Sequence, residues 1–238
     1  MAMPEHTAKA FDVDLQELTR MVAEMGGLAE RQIADAVDAL ARRDADRAQR
    51  TVAGDPSIDA LQAEIEEKAV LTIARRQPMA VDLREIVGAL RVSNDLERIG
   101  DLAKNIAKRV TALNDEFHPQ KLIRGVEHMA ALVLGQIKRV LDAYAGRDLP
   151  SALAVWNGDE EIDAMCTSLF RELLTYMMED PRNITFCIHL MFCAKNIERM
   201  GDHATNIAET VHFMVEGRPI GDQRPKGDTT AFSKLAAP

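Results

Sequence analysis

Residues 93–110 read SNDLERIGDLAKNIAKRV, and residues 194–211 read AKNIERMGDHATNIAETV. The two stretches align without a gap at a constant separation of 101 positions. Neither contains proline, and apolar residues recur in both at steps of three and four, the mark of an amphipathic helix. Neighbouring segments repeat as well: GDPSIDA at 54–60 matches GDEEIDA at 158–164, and Pro78 matches Pro181. Those separations are 104 and 103, so only small changes in turn length distinguish the copies. A unit this long is a duplicated bundle, since solenoid repeats are shorter.

The rest of the chain divides at proline and glycine. From 8 to 41, Phe11, Leu15, Leu18, Val22, Met25, Ala29, Ile33, Ala36 and Leu40 mark one long amphipathic helix, with Gly26 and Gly27 signalling a bend or a close helix contact. A second helix starts near Asp44, breaks at Gly54-Asp55-Pro56 and restarts with Asp55 as the cap and Pro56 in the first turn. It runs to about Arg76; Pro78 closes a turn, and a third helix covers 81–110. Residues 114–119 read as a linker. Helices over 120–145, from 150 to 179 and over 183–215 repeat the pattern. The expectation is an all-α protein of two tandem, structurally similar three-helix bundles, 1–115 and 116–216. Residues 217–238, rich in Gly, Pro, Asp, Lys and Thr and without periodicity, read as a disordered tail.

Composition supports this. Apolar residues make up 47% of the 238-residue chain and aromatics only 4%, whereas sheets favour aromatic and β-branched residues. The net charge of −9 and a pI of about 5.2 give no basic face for nucleic acid. No stretch approaches the roughly 20 apolar residues of a membrane span, so no membrane insertion is expected. Cys166, Cys187 and Cys193 show no CxxC spacing and lie in apolar helical surroundings, which suits buried thiols and a reducing cytoplasm.

The chemistry concentrates in four acidic pairs at i, i+4: Asp55/Asp59, Glu97/Asp101, Asp159/Asp163 and Glu198/Asp202. Residues four apart share one helix face, where like charges repel unless something positive sits between them. On the third helix the pair continues the rhythm of Leu83, Val87, Leu90 and Asn94; on the last helix it continues Ile184, Ile188, Met191 and Lys195. The acids thus extend what reads as a core-facing stripe. Asp59 and Glu97 each lie 19 residues from Pro78, and Asp55 and Asp101 each lie 23. In the second copy Asp163 and Glu198 are 18 and 17 from Pro181, and Asp159 and Asp202 are 22 and 21. In an antiparallel hairpin equal counts mean equal height, so four carboxylates should meet in each half. Such a group must take up protons, draw in Arg98 or Arg199, or bind cations. Oxygen donors suit Mg²⁺, Mn²⁺ and iron, and zinc is compatible. Asn105 and Asn206 stand one further step along and offer more oxygens. The plain alternative is a set of surface salt bridges.

Other features weigh less. Gly100 and Gly201 match and suggest close helix packing. His203 adjoins Asp202 and is a candidate ligand, although Leu102 replaces it in the first copy. Glu209 and His212 have the ExxH spacing of di-iron bundles, but Lys108 and Thr111 stand at the matching positions, so the second motif that this chemistry requires is missing.

Several segments together carry a family resemblance: 11–18, MGGLAERQI at 25–33, QPMAVDLR at 77–84, LERIGD at 96–101 and IERMGDHATNIAE at 197–209. On these the chain, from about residue 6 to 216, resembles the PhoU family, accessory regulators of phosphate-specific transport. The resemblance implies two similar three-helix bundles whose acidic motifs hold multinuclear clusters of iron or zinc, with magnesium or manganese in some members. Carried over by position, the metal ligands would be Asp55, Asp59, Glu97, Asp101, Asp159, Asp163, Glu198 and Asp202. It also implies a cytoplasmic, often dimeric protein that represses the phosphate-starvation response. Its partners would be the ATPase subunit of a phosphate ABC transporter and a sensor histidine kinase. Lys195, opposite Asn94, is the asymmetry expected to lower cation affinity at one site. Three readings follow: a non-catalytic metal-binding adaptor, a metal-free scaffold whose acids dock a basic partner, and a carboxylate-bridged metalloenzyme. The third would need a nucleophile or general base that does not repeat beside the acids.

Overall fold

The computed structural model describes residues 5–113 and 120–221, with side chains from 11–113 and 121–221. The expected linker at 114–119 and most of the expected tail, 222–238, lie outside the described residues. Every regular element among the described residues is helical: α1 (Glu5–Arg42), α2 (Ala45–Gly54), α3 (Pro56–Arg76), α4 (Val81–Ala112), α5 (Gln120–Gly146), α6 (Leu149–Asn157), α7 (Asp159–Glu179) and α8 (Ile184–Glu216), with a 3₁₀ turn at Pro181–Asn183 before the last. α1 to α4 form one repeat and α5 to α8 the other. Each repeat has three limbs, the middle one broken in two.

The breaks and turns repeat because their local chemistry repeats. Asp44 caps α2 by accepting from the Arg47 amide at 2.8 Å, and Asp148 caps α6 by accepting from the Ser151 amide at 3.2 Å. The residue before each cap, Arg43 and Arg147, takes a left-handed backbone with φ of 58° and 52°. Pro56 occupies the first turn of α3, as expected, but Asp55 does not cap it. Asp55 is itself helical and makes no side-chain cap bond, which leaves its carboxylate free to turn inward.

The repeats meet along two antiparallel helix pairs, α4 with α8 and α1 with α5. Along the first, Gly88 lies against Met214, Asp95 bonds His203, and Arg109 reaches His189. Along the second, Gly26 lies against Leu141. α1 continues unbroken through its paired glycines, and Gly26 serves the close contact. One hydrophobic core runs through both repeats, with Ile33, Ile65, Ile99, Ile137, Ile197 and Ile207 all fully buried within it. Cys187 and Cys193 are buried, Cys166 is half-buried, and none is disulfide-bonded.

The antiparallel α4–α8 pairing has a consequence for function. Asp95, two residues from Glu97, bonds the neighbour of Asp202, so both acidic stretches stand at nearly one level of the central helix pair.

Candidate functional site

The stripe that carries the acids lies at the edge of the core: Leu90 and Met191 pack against it and Glu198 is buried, but its apolar end opens outward. Leu83 is 38% exposed and Ile184 and Ile188 are each 41% exposed, while the deeply buried faces of α4 and α8 run through Ile86, Ala89, Val92, Leu96, Ile99, and Leu190, Cys193, Ile197, Met200. α4 is packed by α1, α2, α3 and α8, so its buried arc is displaced from the stripe that the sequence suggested. The acids therefore sit at the rim between core and solvent, where a carboxylate can be partly dehydrated yet stay reachable.

In the first repeat Asp55 is buried, Glu97 and Asp101 are half-buried, and Asp59 is exposed. The Lys104 ammonium bridges Asp55 and Asp101, joining α3 to α4. Burial works against the charge of Lys104, but hydrogen bonds from it to Asp101 and Asp55 outweigh that and hold it above its ordinary range. The remaining Asp55 oxygen accepts from Gln32 Nε2 at 3.3 Å. Burial pushes the Glu97 carboxyl up; Arg98, 3.4 Å away, opposes this, and the charges of Asp101 and Asp59 reinforce it. Glu97 thus feels Asp101 and Asp59, and Lys104 ties Asp101 to Asp55.

The second repeat reaches the same acidity with different neighbours. Asp159, Asp163 and Glu198 are buried and Asp202 is half-buried. Thr205 donates to Asp159 at 3.4 Å, and Lys195 donates to Glu198 at 2.7 Å. Burial raises the Glu198 pKa; Lys195 opposes this, and Asp202 and Asp163 push the same way. Glu198 Oε2 is buried without a hydrogen-bond partner. Gly100 and Gly201 let α3 and α7 come this close: a Cβ there would sit 2.9 Å from Ile58 Cδ1 and 3.2 Å from Ile162 Cδ1 respectively.

Lysines, then, supply the main counter-charge expected of Arg98 and Arg199. Lys195 was legible in the sequence. Lys104 was missed, although its i+3 spacing from Asp101 was a signal. The supplementary ligands go elsewhere: Asn105 is exposed, and Asn206 donates to Asp95 at 3.2 Å. His203 also pairs with Asp95, at 2.8 Å. Glu209 accepts from Trp156 Nε1 at 3.1 Å, and His212 Nδ1 lies 3.0 Å from the Arg218 carbonyl, so the ExxH pair is engaged away from the acids.

The donor set suits a hard cation, being carboxylate oxygens in excess over the ammonium groups that hold them, with one buried oxygen unpartnered. Among the described residues no three His, Cys, Asp or Glu side chains already close around a single ion position. In the first site an ammonium stands between the carboxylates, so a metal there would replace Lys104 and draw the side chains inward. Beside the second site runs a cavity of about 340 Å³ lined by Phe170, Leu173, Ile188 and Phe192, with Asp163, Lys195 and Glu198 on its wall. The matching first-repeat positions of Phe170 and Phe192 are Glu66 and Arg91, so the fold itself does not require that apolar surface.

A duplicated three-limbed helical bundle is the fold of solved PhoU structures. The PhoU domain family model matches this chain twice, over residues 22–110 and 126–211, and the chain belongs to that family. It is 58% identical over 226 residues to the phosphate-specific transport system accessory protein PhoU homolog of Rhizobium meliloti, covering 95% of each chain. Against the homolog of that name from Caulobacter vibrioides NA1000 the identity is 55%, covering 95% of this chain and 98% of the other. The crystal structure of PhoU from Pseudomonas aeruginosa superposes with a TM-score of 0.84 at 39% identity, covering 87% of this chain and all of that one. The phosphate transport system regulatory protein PhoU from Streptococcus pneumoniae gives 0.81 at 26% identity, covering 88% and 99%. Among the described residues no helix is long and apolar enough to cross a membrane.

Proposed function

We propose that this chain is the accessory regulator of a phosphate-specific transport system, holding the phosphate-starvation response down when phosphate is plentiful. The observation that carries this reading is the near-complete coverage, at more than half identity, of relatives bearing that description. In this reading it works in the cytoplasm as a homodimer, an adaptor between the ATPase subunit of a phosphate ABC transporter and a sensor histidine kinase. Exposed Phe192 and Met178, 50% and 86% accessible, support a surface for helical partners on the second hairpin.

The proposal includes a cation at each acid site. Asp55, Asp59, Glu97 and Asp101 would hold one, and Asp159, Asp163, Glu198 and Asp202 the other. Iron or zinc in multinuclear form, magnesium and manganese all accept this oxygen set. The bound cation would brace α3 against α4 and α7 against α8, a structural and non-catalytic role. Lys104 and Lys195 already tie up carboxylates of the two sites, which supports bracing over turnover.

Deleting the gene in the source organism and measuring a phosphate-starvation reporter in phosphate-replete medium tests the regulatory reading. The reporter should rise and return to baseline with the wild-type gene restored. A reporter indifferent to the deletion would refute it. Elemental analysis of the purified protein before and after chelation tests the cation.

A further inference from the structure

We propose that Gln32 and Gln136 each supply a neutral oxygen ligand to the cation of their own repeat, an inference that rests on the cation reading above. The two residues are equivalent, separated by the same 104 positions as the broken middle limbs they lie under. Gln32 is 6% exposed. Its Nε2 donates to the Thr51 carbonyl and to Asp55, both at 3.3 Å. In the second repeat Gln136 Nε2 donates to the Gly158 carbonyl at 2.9 Å. These acceptors fix the orientation of each carboxamide, because a flipped amide would set oxygen against oxygen. With the nitrogens so engaged, Oε1 of both glutamines is left buried with no donor.

A buried acceptor without a partner is costly and uncommon, and here it occurs twice at one structural position. The Gln32 oxygen lies beside the acid site, on the same carboxamide whose nitrogen bonds Asp55. It lies 3.1 Å from where a Gly100 Cβ would stand, and Gly100 sits between Glu97 and Asp101 on α4. A Cβ at 100 would also press on Ile58 Cδ1 at 2.9 Å, so the glycine lets both side chains lie against α4. A carboxamide oxygen is a natural addition to a carboxylate shell, since it completes coordination of a hard cation without adding negative charge. Gln32 would therefore serve the site with both ends, its nitrogen steadying Asp55 and its oxygen meeting the metal.

The test uses full-length protein stripped with chelator and titrated with Mn²⁺ by calorimetry. A Glu198→Gln/Asp202→Asn background isolates the first site, and Glu97→Gln/Asp101→Asn isolates the second. Gln32→Leu should weaken Mn²⁺ at the first site by about 10- to 100-fold and leave the second unchanged; Gln136→Leu should do the reverse. Gln136→Leu, read at the second site, decides the matter if Gln32→Leu fails to fold. Equal affinities for Gln32→Leu and wild type at the first site, or for Gln136→Leu and wild type at the second, would overturn the glutamine assignment and leave the cation reading standing. Absence of Mn²⁺ binding by wild type would overturn both.

Discussion

Lys104 and Thr205 occupy equivalent positions in the two repeats, and they equip the acid sites differently. Lys104 reaches inward and bridges Asp55 and Asp101, with 21% of its side chain exposed. Thr205 offers only a hydroxyl to Asp159, and the second site draws its ammonium from Lys195, which is 53% exposed and stands at the other end of the cluster. An internal lysine is a built-in substitute for a cation; a surface lysine can swing into water at little cost. The same duplicated frame thus holds one site closed by its own charge and one more readily opened.

Lys104→Met should consequently have effects of opposite sign with and without metal. In chelator it leaves Asp55 buried without its ammonium, and stability should fall by about 1–3 kcal/mol. With Mn²⁺ present, the first site has lost its competitor, so affinity there should rise and the loss should be largely recovered. Paired melting curves in chelator and in Mn²⁺ measure this. A variant destabilised equally in both would show that Lys104 does not compete with a cation.

Glu198 gives a pH dependence whose sign is set by its environment. Its pKa is raised in the folded protein, so the fold favours the protonated form. That contribution is full below the unfolded value near 4.5 and is lost as pH rises through the folded value. Glu198→Gln cannot ionise and should be more stable than wild type in chelator at neutral pH, with the difference closing as pH falls toward about 4.5. Adding Mn²⁺ should reverse the order, because only wild type offers a full carboxylate. Melting temperatures across that pH range, with and without metal, test both halves.

The sequence revealed the architecture because duplication prints the same pattern twice, and the near-equal distances of the acids from Pro78 and Pro181 signalled that acids of adjoining helices would meet, as Glu97 meets Asp59 and Glu198 meets Asp163. What it concealed depends on packing around each helix. The stripe through Leu83, Val87 and Leu90 looks apolar and therefore interior, yet α4 is enclosed from another direction and that stripe becomes the rim. Lys104 was hidden because an ammonium on a helix is ordinarily solvated, and only the α3–α4 approach turns it onto Asp55. Gln32 was hidden because its partners lie on α2 and at the α2–α3 junction, and no local spacing on α1 announces them.

Gly26 and Gly27 are adjacent in sequence and opposite in consequence. A Cβ at 26 would stand 2.5 Å from Leu141 Cδ1 on α5, whereas a Cβ at 27 meets nothing within 4 Å. Gly26→Ala should destabilise by about 1–3 kcal/mol through overpacking between the repeats. Gly27→Ala should stabilise by about 0.5–1 kcal/mol, the usual gain from replacing an exposed helical glycine. Denaturant midpoints of the two variants give the comparison, and effects of the same sign would contradict the α1–α5 contact.

Asp95 is a polar pin between the repeats, two residues from Glu97 on one side and bonded to the neighbour of Asp202 on the other. It is 8% exposed on α4 and accepts from His203 and Asn206 on α8, the first adjoining Asp202. Because one buried carboxylate serves both partners, the mutants Asp95→Ala and His203→Ala should be non-additive in stability, with a coupling of about 1–2 kcal/mol in a double-mutant cycle. The same cycle read by Mn²⁺ binding asks whether the sites communicate. If Asp95 carries the link, occupancy of the first site should alter affinity at the second in wild type and cease to do so in Asp95→Ala. Additive stabilities together with independent sites in both proteins would reduce Asp95 to a packing contact.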